Sequence, residues 1–306
     1  MTTSAKIIVF GYHEVGYRCL EWLLAQGETV QAVFTHKDSS REHIWFRSVA
    51  DLARAHQIPV FTPATAKADG VLAQVREFGP DVIYSLYYRN MLPSDILRLP
   101  KQGAFNMHGS LLPRYRGRVP INWAIINGER ETGATLHHMV ARADAGDIVD
   151  QEAVPIGPVD TARDVFLKVT DAAVAVLARN HEAITAGRAR RIPQDEALAT
   201  TFGARRPEDG RITWDATAPA IFNLARALTH PYPGAFSEVC GQVFFVWWGT
   251  PVELPSGIQP RPGLVVSVSP LIIATGAGGF RIDELEWADK DAHEHHNFVV
   301  GELVGL

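Results

Sequence analysis

Short apolar runs alternate with stretches of helical spacing along the first two thirds of the chain. The runs are KIIVF from Lys6, TVQAVFT from Thr29, PVFT from Pro59 and DVIYSLY from Asp81, and helical patterns fall between them over 16–25, 48–56 and 71–78. Strand-like runs of this kind, separated by helices, predict a mostly parallel sheet with helices on both faces. After AFNMH, at 104–108, the spacing predicts a helix over 121–127, strands in TGATLHHMV and GDIVDQEAVPI, and a long helix over 161–185. Together these make one open α/β domain of Rossmann-like type.

The texture changes near residue 202. A helical pattern over 218–228 and the turn-rich HPYPGAF lead into QVFFVWW, GLVVSVS and LIIATG, with Gly and Pro between them. Short, closely spaced strands predict a small β-barrel of OB-like type. The expected domains are therefore 1–201 and 202–306. A length of 306 residues is enough for two cores. Nowhere do eighteen apolar residues run together, so no membrane insertion is expected. The apolar run in MTTSAKIIVF is too short for a signal peptide and reads as a first strand.

Charge and cysteines narrow the classes. A net charge of -5 disfavours a nucleic-acid backbone as the main partner, since such binding rests on a clustered basic surface. Cys19 and Cys240 are far apart and lack Cys-x-x-Cys spacing, which indicates neither a disulfide framework nor a zinc site and fits the cytoplasm.

The first βα turn, FGYHEVGYR, offers Gly11 and Gly16. It has neither the Lys and Ser/Thr of a phosphate loop nor the glycine spacing of dinucleotide binding, so the glycines are assigned to a tight turn and close helix packing. HEHH, at 293–296, sits in a charged segment and reads as a solvated loop, so no metal is expected. His137 and His138 alternate across a strand and read as core or surface histidines. Asn106 and His108 differ from these. Two apart on a strand, they point the same way, near a strand end where open α/β sheets bind ligands. An Asn amide can donate to a developing oxyanion and a His can hold or pass a proton. A carboxylate partner for that histidine is available in ARADAGDIVD as Asp144 or Asp147.

FNMHGSLLPRYRGRVPINWAIINGERETGATLHHM, at 105–139, resembles the folate-dependent formyltransferases. The likeness rests on the Asn106 and His108 pair, the Ser-Leu-Leu-Pro run at 110–113, the Arg-Gly-Arg segment at 116–118 and the later acidic loop. VFGYHEVG with VFTHKD, SLYYRNML and RADAGDIV resemble the branch that acts on UDP-4-amino-4-deoxy-L-arabinose, and TFGARRPEDGRITW with HPYPGAFS extends the likeness through nearly the whole chain. The resemblance implies 10-formyltetrahydrofolate as formyl donor, a UDP-linked 4-amino sugar as acceptor, and a place in lipid A modification and polymyxin resistance. It gives Asn106 the oxyanion, His108 the acid or base role, and Asp144 the task of keeping that imidazole charged. Asn90, Met91 and Leu92, together with Val140, Ala141, Arg142, Ala143 and Asp144, match folate-contacting positions, and Arg118 matches a cofactor- or substrate-contacting arginine. The side chains of Asn90 to Leu92 differ from that branch, so main-chain contacts are what the likeness carries over there. The arginine segment is expected to help hold anionic reactants.

The same signature serves formylation of initiator methionyl-tRNA. Residues 203–306 hold seven Lys and Arg against twelve Asp and Glu, a balance that suits tRNA phosphates poorly. Other nucleotide-linked amino sugars, hydrolysis of the formyl donor and a non-catalytic folate- or nucleotide-sugar-binding module remain as alternatives. The branch also includes a bifunctional enzyme with an NAD-dependent decarboxylase half, but no dinucleotide fingerprint is present, so formyl transfer alone is expected.

Overall fold

The computed structural model describes residues 4–39, 43–254, 261–289 and 295–305. His293 and Glu294 of the histidine run lie outside them, as do Lys290 and Asp291 of the charge balance. The described chain forms two compact units, one made of Met1–Pro120, Glu131–Pro155 and Phe166–Gly203, the other of Ile121–Arg130, Ile156–Val165 and Ala204–Leu306.

In chain order the elements up to residue 202 are β1 (Lys6–Gly11), α1 (His13–Ala25), β2 (Thr29–Phe34), α2 (Val49–Ala55), β3 (Val60–Phe61), α3 (Val71–Phe78), β4 (Val82–Leu86), α4 (Ser94–Leu97), β5 (Gly103–His108), β6 (Arg116–Gly117), α5 (Pro120–Ile126), β7 (Glu131–His138), β8 (Ile148–Pro155), α6 (Ala162–Thr185) and β9 (Thr201–Phe202). The main sheet of the first unit runs β3-β2-β1-β4-β5-β7-β8, parallel through β5 and antiparallel at β7 and β8. β4 is buried at every residue and β1 at every residue after Lys6. Covered on both faces, these strands need unbroken apolar runs rather than alternation, which is what made them legible.

Local chemistry sets the ends of the helices. The Ser48 hydroxyl accepts from the Asp51 N–H (3.1 Å) at the start of α2. Gly79, with φ +57, closes α3 in the left-handed conformation. A Cβ on Gly16 would stand 3.0 Å from the Leu86 carbonyl oxygen, so α1 approaches β4 closely only because position 16 is glycine. Beneath this end of the sheet Phe10 stacks on Phe34 (centroids 4.6 Å apart) and meets Tyr88 edge-on (5.2 Å).

The remaining elements are α7 (Ala218–Leu228) and the strands β10 (Ala235–Val239), β11 (Gln242–Val252), β12 (Val265–Val268), β13 (Leu271–Ala274) and β14 (Gly279–Trp287). The strands form a separate antiparallel sheet in the order β10-β11-β14-β13-β12. Arg226 explains why two earlier segments belong to this second unit. Buried on α7, its Nη1 donates to the carbonyls of Gly157 (3.0 Å) and Asp160 (2.9 Å), while Asn122 Nδ2 donates to the Ala227 carbonyl (2.8 Å). Among the described residues no helix is long and apolar enough to cross a membrane.

Phe10→Ala removes the ring that joins these aromatic stacks and should cost about 3–5 kcal/mol in the unfolding of the first unit, read by urea denaturation. A loss below about 1 kcal/mol would mean that this cluster does not hold the sheet together.

Candidate active site

Asn106 and His108 share one face of β5, as the strand period requires, with Phe105 and Met107 buried on the other. The neighbouring strand adds a residue that the sequence reading assigned to the core or surface. In the β5–β7 register Asn106 lies opposite His137, and the Asn106 Nδ2 is 3.1 Å from His137 Nε2. His137 Nδ1 lies 2.9 Å from the His138 carbonyl, which can only accept, so Nδ1 carries a hydrogen and Nε2 is the nitrogen turned toward Asn106 and Asp144. His137 is buried, as a core histidine would be, and its ring also faces Asn106. His138, on the opposite face, contacts the Arg190 carbonyl through Nε2 (2.9 Å).

Asp144 folds over this face from the loop between β7 and β8. Its Oδ1 is 3.4 Å from Asn106 Nδ2, 3.5 Å from His137 Nε2 and 3.6 Å from His108 Nδ1, and its Oδ2 accepts from the Gly117 N–H at 2.8 Å. Of the two candidate aspartates, Asp144 is the one beside His108, while Asp147 pairs with Arg191 (3.3 Å). Burial pulls the Asp144 carboxyl upward, but the charge of His108, the hydrogen bond and charge of His137 and the Gly117 N–H outweigh it and hold the group well below the usual carboxylate range.

His108 is held from its far side. Its Nε2 lies 2.7 Å from the Tyr115 carbonyl and must donate there, leaving Nδ1, the nitrogen facing Asp144, as the one that gains or loses a proton. The Ser-Leu-Leu-Pro run shapes the loop that brings this carbonyl in. Ser110 Oγ donates to the Arg114 carbonyl (2.7 Å), and Thr135 Oγ1 donates to that of Ser110 (2.6 Å).

A second layer fixes the Asp144 loop. Gln194 Nε2 donates to the carbonyls of Asp144 (2.8 Å) and Gly146 (2.7 Å), and its Oε1 accepts from Arg116 Nη2 at 2.7 Å. Arg116 is 1% exposed and also makes a two-point ion pair with Glu196 (2.8 and 3.0 Å). The hydrogen bonds from Arg116, working against desolvation and joined by Arg142, lower the Glu196 carboxyl to about 2. The expectation for the arginine segment is corrected accordingly: Arg116 is committed to Glu196 and Gln194, so it braces the loop and is closed to reactants. Two glycines make the fit possible. A Cβ on Gly117 (φ +100) would lie 2.1 Å from the Phe202 oxygen, and one on Gly146 would lie 1.8 Å from the His138 oxygen.

The other anticipated positions are placed as follows. Arg118 is exposed, directly after the glycine that bonds Asp144. Val140, Ala141, Arg142 and Ala143 form an exposed run leading to Asp144, with Arg142 Nη1 bonded to Glu196 (2.9 Å). Asn90 to Leu92 follow β4. Met91 is exposed, Asn90 Nδ2 reaches the Ala64 carbonyl at 3.4 Å, and the Leu92 side chain is buried in the core, leaving only its main chain to face a ligand.

A half-buried carboxylate gathering an amide and two imidazoles has the chemistry to move a proton and to stabilise an oxyanion. Comparison with known families agrees with that chemistry. A family described as formyl transferase matches residues 5–180, and one described as formyl transferase, C-terminal domain, matches 205–303. The chain belongs to the formyl transferase family and is a formyltransferase enzyme.

Solved structures share the fold. WlaRD, a sugar 3N-formyl transferase crystallised in the presence of dTDP and 5-N-formyl-THF, is 19% identical, with 94% of this chain and 98% of that one covered and a TM-score of 0.67. An N-formyltransferase from Helicobacter canadensis, in complex with folinic acid and dTDP-3-aminofucose, is 20% identical over 93% of this chain and 100% of that one, with a TM-score of 0.68. HypX from Aquifex aeolicus, in complex with tetrahydrofolic acid, is 20% identical over 94% of this chain, which spans 45% of HypX, with a TM-score of 0.62.

A carboxyl whose folded pKa is depressed stabilises the fold above its unfolded value, near 4, and loses that contribution as pH falls toward the folded value. Asp144→Asn should therefore be less stable than the wild type at pH 7 and lose less stability on acidification to pH 3, in urea midpoints taken at both. Equal acid sensitivity of the two proteins would show that Asp144 is not held ionised.

Proposed function

We propose that this enzyme transfers the formyl group of 10-formyltetrahydrofolate to the 4-amino group of UDP-4-amino-4-deoxy-L-arabinose in the cytoplasm, within lipid A modification and polymyxin resistance. The observation that carries the reaction is the convergence of Asn106, His108 and Asp144 on one point of β5. The choice of acceptor rests on the sequence likeness of the flanking stretches. The solved relatives bound to folates and to dTDP or a dTDP-sugar support the wider class, folate-dependent formylation of nucleotide-linked amino sugars.

The sugar amine attacks the formyl carbon and its carbonyl oxygen becomes an oxyanion. The Asn106 amide and the protonated His108 Nδ1 face this charge, with Asp144 as the counter-charge that keeps the imidazolium in place. The intermediate collapses as the bond to folate N10 breaks and N10 takes a proton. The attacking nitrogen loses one, so the imidazole can return to its starting state.

Folate is assigned to the run 140–144, the main chain of 90–92 and Arg118. The nucleotide is assigned to a cavity of about 270 Å³ lined by Tyr12, His36, Lys37, Asp38 and Phe46 among others. That cavity borders β2, three strands from β5, or about 14 Å at ordinary strand spacing, a span suited to a nucleoside diphosphate between base and sugar amine. A tRNA acceptor is disfavoured because the second unit is acidic and one of its few cations, Arg226, is buried.

Tetrahydrofolate release from 10-formyltetrahydrofolate should require the UDP-sugar and be much slower with a dTDP-linked 3-amino sugar. Release without any acceptor, or only with charged initiator tRNA, would overturn the assignment. Asn106→Ala should lower turnover by about 10²–10³, the effect of losing one oxyanion donor, and a fall under about fivefold would remove Asn106 from that role.

A further inference from the structure

Away from the formyl-transfer residues, the second unit gathers a thiol, an imidazole and a carboxylate. The hairpin between β10 and β11 turns on two residues, Cys240 and Gly241, flanked by the pair Val239 and Gln242. Both are left-handed, with φ +48 and +75. Such turns ordinarily take Asn, Asp or Gly, and a cysteine in the first position sets an exposed sulfur at the hairpin tip.

The C-terminal segment brings two more groups to that tip. The His296 N–H donates to Gln242 Oε1 (3.0 Å), tying the histidine to the hairpin. The Glu302 carbonyl accepts from the Val265 N–H (2.9 Å), tying the glutamate to β12. His296 Nε2 lies 2.7 Å from Glu302 Oε2, and the other carboxylate oxygen accepts from the Val299 N–H. The sulfur, one ring nitrogen of His296 and one oxygen of Glu302 all lie within 4.8 Å of one another, the one such trio among the described residues.

We propose that Cys240, His296 and Glu302 form a binding site for a zinc-class divalent cation, with a fourth position open to water. Zinc bonds of about 2.3 Å to sulfur and about 2.0–2.1 Å to nitrogen and oxygen bring tetrahedral ligands within about 3.3–3.7 Å of each other, which small rotations of these side chains reach. The mixed sulfur, nitrogen and oxygen set suits Zn²⁺ over Mg²⁺ or Ca²⁺, which take oxygen ligands. Thiolate and carboxylate together balance the charge of the cation. Binding releases the Cys240 thiol proton to solvent, the cation takes lone pairs from S, N and O, and no oxidation state changes. The Val299 N–H on the second carboxylate oxygen and the Gln242 bond to the His296 main chain hold the ligands in place. Neither the histidine run nor the spacing of Cys240 shows this trio, because strand pairing and the C-terminal segment create it.

The test uses the whole metal-stripped chain with Zn²⁺ or Co²⁺ alone as probe. Cys19 is fully buried and burial pushes its thiol up to about 12, so alkylation of the native protein reports on Cys240. Stoichiometric Zn²⁺ should slow that alkylation at least about tenfold, and Co²⁺ should give a thiolate-to-cobalt charge-transfer band that Cys240→Ser abolishes. His296→Ala and Glu302→Gln, checked for native folding by circular dichroism, should each weaken binding by about tenfold or more while leaving formyl transfer unchanged. No charge-transfer band, or equal protection in both of these variants, would overturn the site and leave an ordinary surface thiol.

Discussion

The half-buried carboxylate of Asp144 is the constraint on which the geometry of the candidate site depends. An ionised carboxylate with little access to water needs hydrogen bonds and opposite charge around it. Gly117 N–H, Asn106 and the imidazoles of His108 and His137 supply them. The same contacts that make Asp144 tolerable therefore define the geometry of the Asn106 amide and the His108 imidazole. Each partner is fixed a second time by a main-chain carbonyl or a neighbouring ring. The Tyr115 carbonyl selects the nitrogen of His108 that faces Asp144, and the His138 carbonyl selects the nitrogen of His137 that faces Asn106. Proton positions are thus set by groups that do not themselves titrate.

Behind this face the bracing runs through Glu196, Arg116 and Gln194 to the main chain at Asp144 and Gly146. Asp144 itself has φ +52, a conformation that aspartate tolerates better than most residues but that still needs its surroundings to hold it. Gln194 provides that restraint with two hydrogen bonds from one amide. Preorganisation of this kind lets the site meet a developing charge without first rearranging.

Much of the scaffold was legible because it is local. β1 and β4, buried on both faces, require unbroken apolar runs, and α3 and α7 carry their helical spacing within the predicted limits. The Asn106 and His108 pair was legible because two-residue spacing on a strand guarantees a shared face. Their assignment as a site also drew on the family likeness. Long-range register was not legible. Only the antiparallel pairing of β5 with β7 sets His137 opposite Asn106, and only the loops meeting at Gln194 turn Arg116 inward. In sequence, Arg116 looks as available as Arg118. The discontinuous segments of the second unit were hidden for the same reason, since the carbonyls that bind Arg226 lie 69 and 66 residues earlier in the chain.

If Asp144 organises Asn106 into the reacting geometry, the two residues act as one device. The most direct measurement is a double-mutant cycle on single-turnover formyl transfer, comparing Asn106→Ala, Asp144→Asn and the double variant. The expected result is strong non-additivity, with the double variant about as slow as the slower single variant. Rate losses that multiply would contradict the account, because they would mean that the amide and the carboxylate contribute independently.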